Sequence, residues 1–136
     1  MLTGGCQCGH VRYENNSEPD PGSLYACHCR ECQKLSASAF SLSLLVPRAG
    51  FTITSGPAKS WTRPTDSGQI LICYFCPTCG SRVWHDAPHA PLTVTIKAGS
   101  LDEPLDLEKA IHIWTSRCMP GVVIPSEAEQ WPEEPV

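Results

Sequence analysis

The sequence predicts an all-β protein, and three observations lead to this prediction. Runs of alternating polar and apolar residues recur along the chain, and this alternation has the period of a half-buried strand. Thirteen prolines and ten glycines in 136 residues divide the chain into short elements joined by turns. Only brief stretches could form a helix. Short strands at this spacing are typical of a β-sandwich, a barrel or a tent.

The expected elements can be placed in chain order. A short helix is predicted near Arg30 to Leu35. The predicted strands are 39-AFSLSLLV-46, Phe51 to Thr54, 68-GQILICYF-75, 92-LTVTIKA-98 and 110-AIHIWT-115. Residues 80-GSRVWH-85 indicate a turn followed by a strand. We expect a single domain over residues 1–125, followed by an acidic, proline-containing tail over residues 126–136.

Charge and hydropathy exclude several classes of partner. The formal net charge is −4 and Lys and Arg form no cluster, so a nucleic-acid partner bound through a basic face is not expected. No apolar run approaches the ~18 residues of a membrane span. The N-terminus lacks the basic and apolar regions of a signal peptide. We therefore expect a cytoplasmic protein, in which clustered cysteines bind metal or act in catalysis more often than they form disulfides.

Seven of the nine cysteines fall into three tight groups, which are 6-CQC-8, 27-CHCREC-32 and 76-CPTC-79. A structural zinc site needs four soft ligands in a tetrahedron. On a strand, the spacing of the first group would point both sulfurs to one face, and the third group has the spacing of a tight turn. We therefore expect a closed zinc site on Cys6, Cys8, Cys76 and Cys79. A redox dithiol is the alternative for the third group, but it usually requires a following helix.

The middle group is a triplet. Cys27, Cys29 and Cys32 supply three thiolates and no local fourth ligand, and catalytic zinc sites keep three protein ligands and one exchangeable position. Because three thiolates make the metal a weak Lewis acid that still prefers sulfur, a thiol substrate is expected. Two alternatives stay open, namely a second structural site completed by a distant residue, or reduced thiols without metal. Cys73 and Cys118 are expected to be ordinary thiols.

The histidines carry less information. His85 and His89 are expected in loops, because too few residues separate them from the third cysteine group for a nucleic-acid-reading finger. His28 lies inside the triplet and is expected to face solvent, although it is the one candidate for a proton donor. His112 alternates with two isoleucines, which predicts a hydrogen-bonded strand histidine.

Several of these pieces occur together in one known family. They are 4-GGCQCGHVRY-13, 27-CHCRECQKLSASAF-40, 75-FCPTCGS-81, 98-AGSLD-102 and 112-HIW-114. In this order they resemble the glutathione-dependent formaldehyde-activating enzyme family, which also includes centromere protein V. The resemblance implies a β-tent fold, a structural zinc on the four outer cysteines, and a second zinc on the triplet beside which glutathione binds.

The resemblance also implies an activity. The family's reaction adds glutathione to formaldehyde and gives S-hydroxymethylglutathione, and it is classed as a carbon–sulfur lyase. We expect the thiolate to attack the aldehyde beside the triplet zinc. Arg30, Lys34 and Arg63 are the predicted contacts for the carboxylates of a peptide thiol. The alternatives are a non-catalytic zinc module that binds protein partners, an iron site of the rubredoxin type at the four outer cysteines, or a zinc enzyme acting on another C–S or C=N bond.

Overall fold

The computed structural model describes residues 1–20 and 22–135, and it confirms the all-β prediction. Within these residues the strands are β1 (Leu2–Gly5), β2 (Arg12–Asn15), β3 (Leu24–Cys27), β4 (Ser41–Pro47), β5 (Phe51–Ser55), β6 (Lys59–Pro64), β7 (Ile70–Phe75), β8 (Arg82–Asp86), β9 (Thr93–Lys97) and β10 (Ile111–Ile113). The α-helix among the described residues is α1 (Arg30–Ser36). Single 3₁₀ turns lie at Arg48–Gly50, Ala98–Ser100, Leu107–Lys109 and Thr115–Arg117.

The predicted elements agree with those observed to within a few residues. The helix is confirmed as α1, and the predicted strands correspond to β4, β5, β7, β9 and β10. The turn and strand expected after the third cysteine group are confirmed, with β8 as the strand. Strands β1, β2, β3 and β6 were not predicted, because they are short or interrupted by glycine and charged residues.

The strands form two sheets over the described ranges. A three-stranded sheet has the order β1-β2-β5, and a seven-stranded sheet has the order β10-β3-β4-β9-β8-β7-β6. Strand β10 runs parallel to β3, and the other paired strands are antiparallel. The large sheet has one apolar face and one polar face, and the cross-strand pairs of its central strands show which residues lie on each.

One face of the large sheet packs on the small sheet and forms the hydrophobic core. Leu44, Val46, Val94 and Ile96 alternate along β4 and β9 on this face and are almost fully buried. A chain of aromatic contacts crosses from the small sheet to the large one through Tyr13, Phe51, Trp84 and Tyr74, with ring centroids 5.4, 5.6 and 4.5 Å apart. Burial of these large side chains stabilises the packing of the two sheets.

The end of the described chain lies along β10. The amide of His112 donates to the carbonyl of Glu129 at 2.9 Å, and the amide of Trp131 donates to the carbonyl of His112 at 2.9 Å. Trp131 also donates through its indole Nε1 to Glu129 at 2.8 Å. These bonds cover the outer edge of β10, which would otherwise expose unpaired backbone groups. Among the described helices, none combines the length and the apolar character that a membrane span requires.

Candidate metal centres and the polar face

Four sulfur atoms meet where the β1–β2 turn touches the β7–β8 turn. The Sγ atoms of Cys6, Cys8, Cys76 and Cys79 all lie within 4.8 Å of one another. Two of their separations are 3.6 Å, between Cys6 and Cys8, and 3.7 Å, between Cys8 and Cys76. A tetrahedron with Zn–S bonds of 2.3 Å has edges of about 3.8 Å. The four thiols therefore fit a zinc ion.

Backbone amides point at the buried sulfurs of this group. The amide of Val11 donates to Cys6 Sγ at 3.2 Å, and the amide of Thr78 donates to Cys76 Sγ at 3.3 Å. Such bonds orient the sulfurs of a metal site. Gly80 has a φ of 81° and lets the second turn close. Cys6 and Cys8 lie after β1 and in its turn, so the expectation that both lie on a strand was wrong.

The triplet lies where β3 meets α1. Cys27 is the last residue of β3, Cys29 caps the N-terminus of α1, and Cys32 lies in the first helical turn. The Cys29 sulfur accepts a hydrogen bond from the amide of Cys32 at 3.3 Å. The three Sγ atoms lie within 4.8 Å of one another, and across residues 1–20 and 22–135 no His, Cys, Asp or Glu completes this group as a fourth ligand.

The three crowded thiols cannot all ionise without a cation. Hydrogen bonds from Cys27 and Cys32 lower the pKa of Cys29 to about 2, although burial opposes the shift. The pKa of Cys27 is raised, first by Cys29 and Cys32 and then by burial. One thiolate therefore forms easily and the other sulfurs hold their protons. A divalent cation would remove this conflict, so the donor set fits a thiophilic metal.

Two buried histidines lie behind the triplet, on the core face. His28 is 0% exposed, so the prediction that it faces solvent was wrong. Its Nε2 is 2.9 Å from Nδ1 of His112, whose position in β10 confirms the predicted strand histidine. Phe40 packs against both rings. Burial lowers the pKa of each imidazole, and for His28 the neighbouring His112 lowers it further. The pair links the residue after β3 to β10, next to the triplet.

The opposite face of the large sheet carries polar side chains, and we call it the polar face. The strand registers pair Cys27 with Ser41, Ser43 with Lys97, and His85 with Cys73. Cross-strand partners project from the same face of a sheet. The polar face therefore extends from the triplet across the central strands, where its members are buried: Ser41, Ser43, Cys73, His85 and Lys97. His85 lies in β8, so its predicted loop position was wrong.

Lys97 brings a positive charge to the centre of the polar face. Its side chain is 8% exposed, and its ammonium group donates to Ser43 Oγ at 2.7 Å and approaches Ser41 Oγ at 3.5 Å. Burial lowers its pKa, while Cys32 and Cys27 raise it through the negative charge that either sulfur carries when it is ionised. Ionised sulfurs in the triplet therefore stabilise the ammonium form.

Arg82 and Trp61 lie next to His85 on this face. Nη1 of Arg82 is 3.2 Å from Nε2 of His85, and its guanidinium lies over the Trp61 ring at 5.7 Å from the centroid. The pKa of His85 is lowered to about 3 by burial first and then by the positive charges of Lys97, Arg82 and Arg63. His85 is therefore a neutral imidazole surrounded by cations.

The predicted substrate contacts lie in two places. Arg63, on β6, has its Nε 3.8 Å from a carboxylate oxygen of Glu31 in α1, so the far edge of the sheet reaches the triplet helix. In a flat sheet β6 would lie about 24 Å from β3, which is too far for this ion pair. The sheet must therefore be curved, with β6 bent toward α1. Arg30 and Lys34 instead line an open groove of about 420 Å³ beside α1, together with Met119.

The sequence reasoning missed Lys97, Arg82 and His85 as members of the site. A signal for Lys97 was present, because Thr93, Thr95 and Lys97 alternate with the apolar residues of β9. Arg82 gave no such signal, because its direction depends on an irregularity of β8.

Comparison with known proteins places the chain in a family. The chain is 31% identical over 75 residues to a Penicillium rubens protein named as a candidate glutathione-dependent formaldehyde-activating enzyme. That match covers 55% of this chain and 38% of the relative, so the chain spans about two fifths of the relative's length. A crystal structure of a Rhodobacter sphaeroides protein has the same fold, with a TM-score of 0.59 at 16% identity over 95% of this chain and 98% of that one. The model of the glutathione-dependent formaldehyde-activating enzyme family matches residues 1–117, and the chain belongs to this family.

Proposed function

We propose that this protein is a zinc-dependent carbon–sulfur lyase-type enzyme that joins glutathione, or a related thiol, to formaldehyde or another small aldehyde. The observation that carries the proposal is the triplet of sulfurs, which the described residues do not complete to four, at the edge of a buried cationic face. Membership of the family supports the same reaction. The expected surroundings are a reducing compartment such as the cytoplasm, since all nine cysteines are free thiols.

The two cysteine groups have different roles in this proposal. Cys6, Cys8, Cys76 and Cys79 would hold a structural zinc that joins the two sheets. Cys27, Cys29 and Cys32 would hold a catalytic zinc, which favours the thiolate form of a nearby thiol. The four-sulfur group is closed by its own side chains, whereas the triplet faces the polar face and its cations.

The chain's own residues support the addition step in three ways. The substrate thiolate attacks the aldehyde carbon, the C–S bond forms, and the electron pair of the C=O bond moves to oxygen, which then takes a proton. Lys97 stabilises negative charge beside the triplet, since its ammonium is buried and fixed by Ser43. His28 and His112 keep β3 and β10 in register behind the reacting groups. Arg30, Lys34 and Arg63 are proposed to meet carboxylates of the thiol.

Metal analysis of untagged protein tests the division of roles. Wild type is expected to hold two zinc ions, and Cys29→Ser is expected to stay folded with one. Cys76→Ser is expected to lose its fold, because the structural site would be broken. The matched control is Cys118→Ser, whose thiol lies outside both groups and should change neither metal content nor folding. Equal unfolding of Cys29→Ser and Cys76→Ser would instead indicate two structural sites.

The reaction is measured by exchange spectroscopy in a mixture of glutathione and formaldehyde, because the two compounds also combine without a catalyst. Wild type and Cys118→Ser should accelerate the exchange, and Cys29→Ser should return it to the uncatalysed rate. A parallel sample with cobalt in place of zinc reports whether thiols reach the metal. Two zinc ions, no acceleration and a cobalt spectrum indifferent to every thiol would favour the non-catalytic binding module.

A further inference from the structure

A β-bulge turns Arg82 toward the polar face. Along β8, Trp84 packs on the core face and His85 lies on the polar face, so regular alternation would place Arg82 with Trp84. The register between β7 and β8 shifts between Tyr74 and Phe75, and Arg82 becomes the partner of Phe75. Val83 is buried in the core, and Arg82 reaches His85 and Trp61 instead. Bulges of this kind redirect side chains beside functional sites.

The groups that hold Arg82 in place are neutral. An arginine always donates, so Nε2 of His85 accepts from Nη1 of Arg82, and His85 carries its proton on Nδ1. Trp61 supports the guanidinium through its ring face. In the part of the chain that the structure describes, the ion pairs of arginine involve Arg12, Arg48 and Arg63, and Arg82 has no carboxylate partner.

The other cations near Arg82 have partners of their own. Lys97 is buried and donates to the hydroxyl groups of Ser43 and Ser41. Arg63 has Glu31 at 3.8 Å, although the Glu31 side chain is 56% exposed and the pair is accordingly weak. Arg82 therefore contributes a fixed positive charge that nothing on the described polar face neutralises. A planar, prepositioned guanidinium is suited to binding a carboxylate through two hydrogen bonds.

The distance from the triplet limits which carboxylate can bind. Strand β8 is three strands from β3, or about 14 Å along a flat sheet, and the curvature that brings Arg63 of β6 to Glu31 of α1 shortens this gap. A carboxylate bonded directly to the reacting aldehyde carbon cannot span the gap between the triplet and Arg82. A peptide thiol whose carboxylate lies one or two residues from its sulfur spans about 3.5 to 7 Å.

We propose that Arg82 is the carboxylate anchor of this site and that it selects a peptide-like thiol carrying a carboxylate one or two residues from its sulfur. The inference rests on the proposed function for the identity of the sulfur position, and it assigns the specificity for the thiol to Arg82. Arg63 is the second cation that such a ligand meets, and Trp61 and His85 are positioning residues for Arg82.

Calorimetric titration of the zinc-loaded protein tests the anchor without requiring turnover. The probes are glutathione and its ethyl ester at the glycine carboxylate. Wild type should bind glutathione about 10- to 100-fold more tightly than the ester. Arg82→Gln should lose that preference by weakening glutathione alone, and Arg82→Lys should keep part of it. The control Lys109→Gln removes one positive charge from an exposed turn before β10 and should bind both probes as wild type does.

The outcomes separate this inference from the proposed function. Arg82-dependent binding of glutathione without acceleration of the aldehyde reaction would support the anchor and contradict the lyase activity. Acceleration with equal affinity in wild type and Arg82→Gln would contradict the anchor and leave the activity standing. The anchor is also overturned if wild type binds neither probe, or if Arg82→Gln weakens both probes equally while its circular dichroism matches that of wild type.

Discussion

The burial of Lys97 indicates that negative charge is expected near it in the site. An ammonium group removed from water costs several kcal/mol unless negative charge lies near it. Serine hydroxyls accept hydrogen bonds from Lys97 but carry no charge, whereas the triplet sulfurs Cys32 and Cys27 raise its pKa when they are ionised. Since three thiolates and one Zn²⁺ sum to −1, a metal-loaded triplet and Lys97 would form a neutral unit.

His85 gives a prediction about pH. Its pKa is lowered from 6.5 to about 3, so the folded state keeps it neutral while the unfolded chain binds a proton below pH 6.5. The stabilisation is therefore fully present above pH 6.5 and is lost as the pH falls toward 3. Between pH 6 and 5, the free energy of unfolding of wild type should fall by about 1.2 kcal/mol more than that of His85→Gln.

Urea unfolding at a series of pH values measures the difference. The matched control is His89→Gln, which makes the same substitution at an exposed position in the turn after β8. Parallel slopes for wild type and His85→Gln would show that His85 becomes protonated in the folded protein. In that case burial and the neighbouring positive charges would not lower the pKa of His85 in the folded protein.

At the scale of elements, the strands that could be predicted are those whose alternation is visible in the sequence. In β9, three apolar residues alternate with threonines, and the pattern is complete before any partner strand is known. In β1, the sequence LTGG contains no such pattern, and its strand form depends on pairing with β2. Tertiary pairing decides the conformation of such short segments, so local sequence cannot reveal them.

The same distinction applies to the site. The cysteine groups could be predicted because ligand spacing within a turn or a helical turn is local. The polar face could not, because Ser43 meets Lys97, and Cys73 meets His85, only through strand register. Arg82 was further hidden, since the bulge in β8 reverses the direction that alternation would assign to it. Ligands that are close in sequence can therefore be predicted from the sequence, whereas groups brought together across strands can be identified only from the structure.

The packing of β1 gives a prediction about Gly4. A Cβ added at Gly4 would lie 2.5 Å from the carbonyl oxygen of Ser100 and would also clash with the hydroxyl of Tyr13. The first neighbour is backbone and the second is held by a 2.8 Å hydrogen bond to Ser100, so neither can move freely. Gly4→Ala should lower the free energy of unfolding by about 1–3 kcal/mol, measured by urea denaturation.

Gly99 is the matched control for this substitution. It lies in the same 3₁₀ turn as Ser100, and a Cβ added there meets no atom within 4 Å. Gly99→Ala should therefore change stability by less than about 1 kcal/mol. A similar loss in both variants would mean that flexibility of the backbone, and not the close approach of β1, determines the need for glycine.

At the scale of the whole molecule, the two cysteine groups occupy different mechanical positions. The four-sulfur group joins the β1–β2 turn of the small sheet to the β7–β8 turn of the large sheet. The triplet joins β3 only to the helix that follows it. A metal at the first position would hold the sheets together, while a metal at the second would order one local segment. This difference supports a structural role for one group and a chemical role for the other.

Removal of metal should therefore loosen the molecule unevenly. Closing the loop between Cys8 and Cys76 is worth about 4 kcal/mol by analogy with a disulfide, and metal bonding adds to this. After treatment with a strong chelator, amides of β1, β2 and the β7–β8 turn should exchange hydrogen much faster. Amides of β4 and β9, in the centre of the large sheet, should keep more of their protection. Hydrogen exchange detected by mass spectrometry measures both groups of amides. A uniform loss of protection across both sheets would contradict a local stabilising role and would indicate that the whole fold depends on the metal.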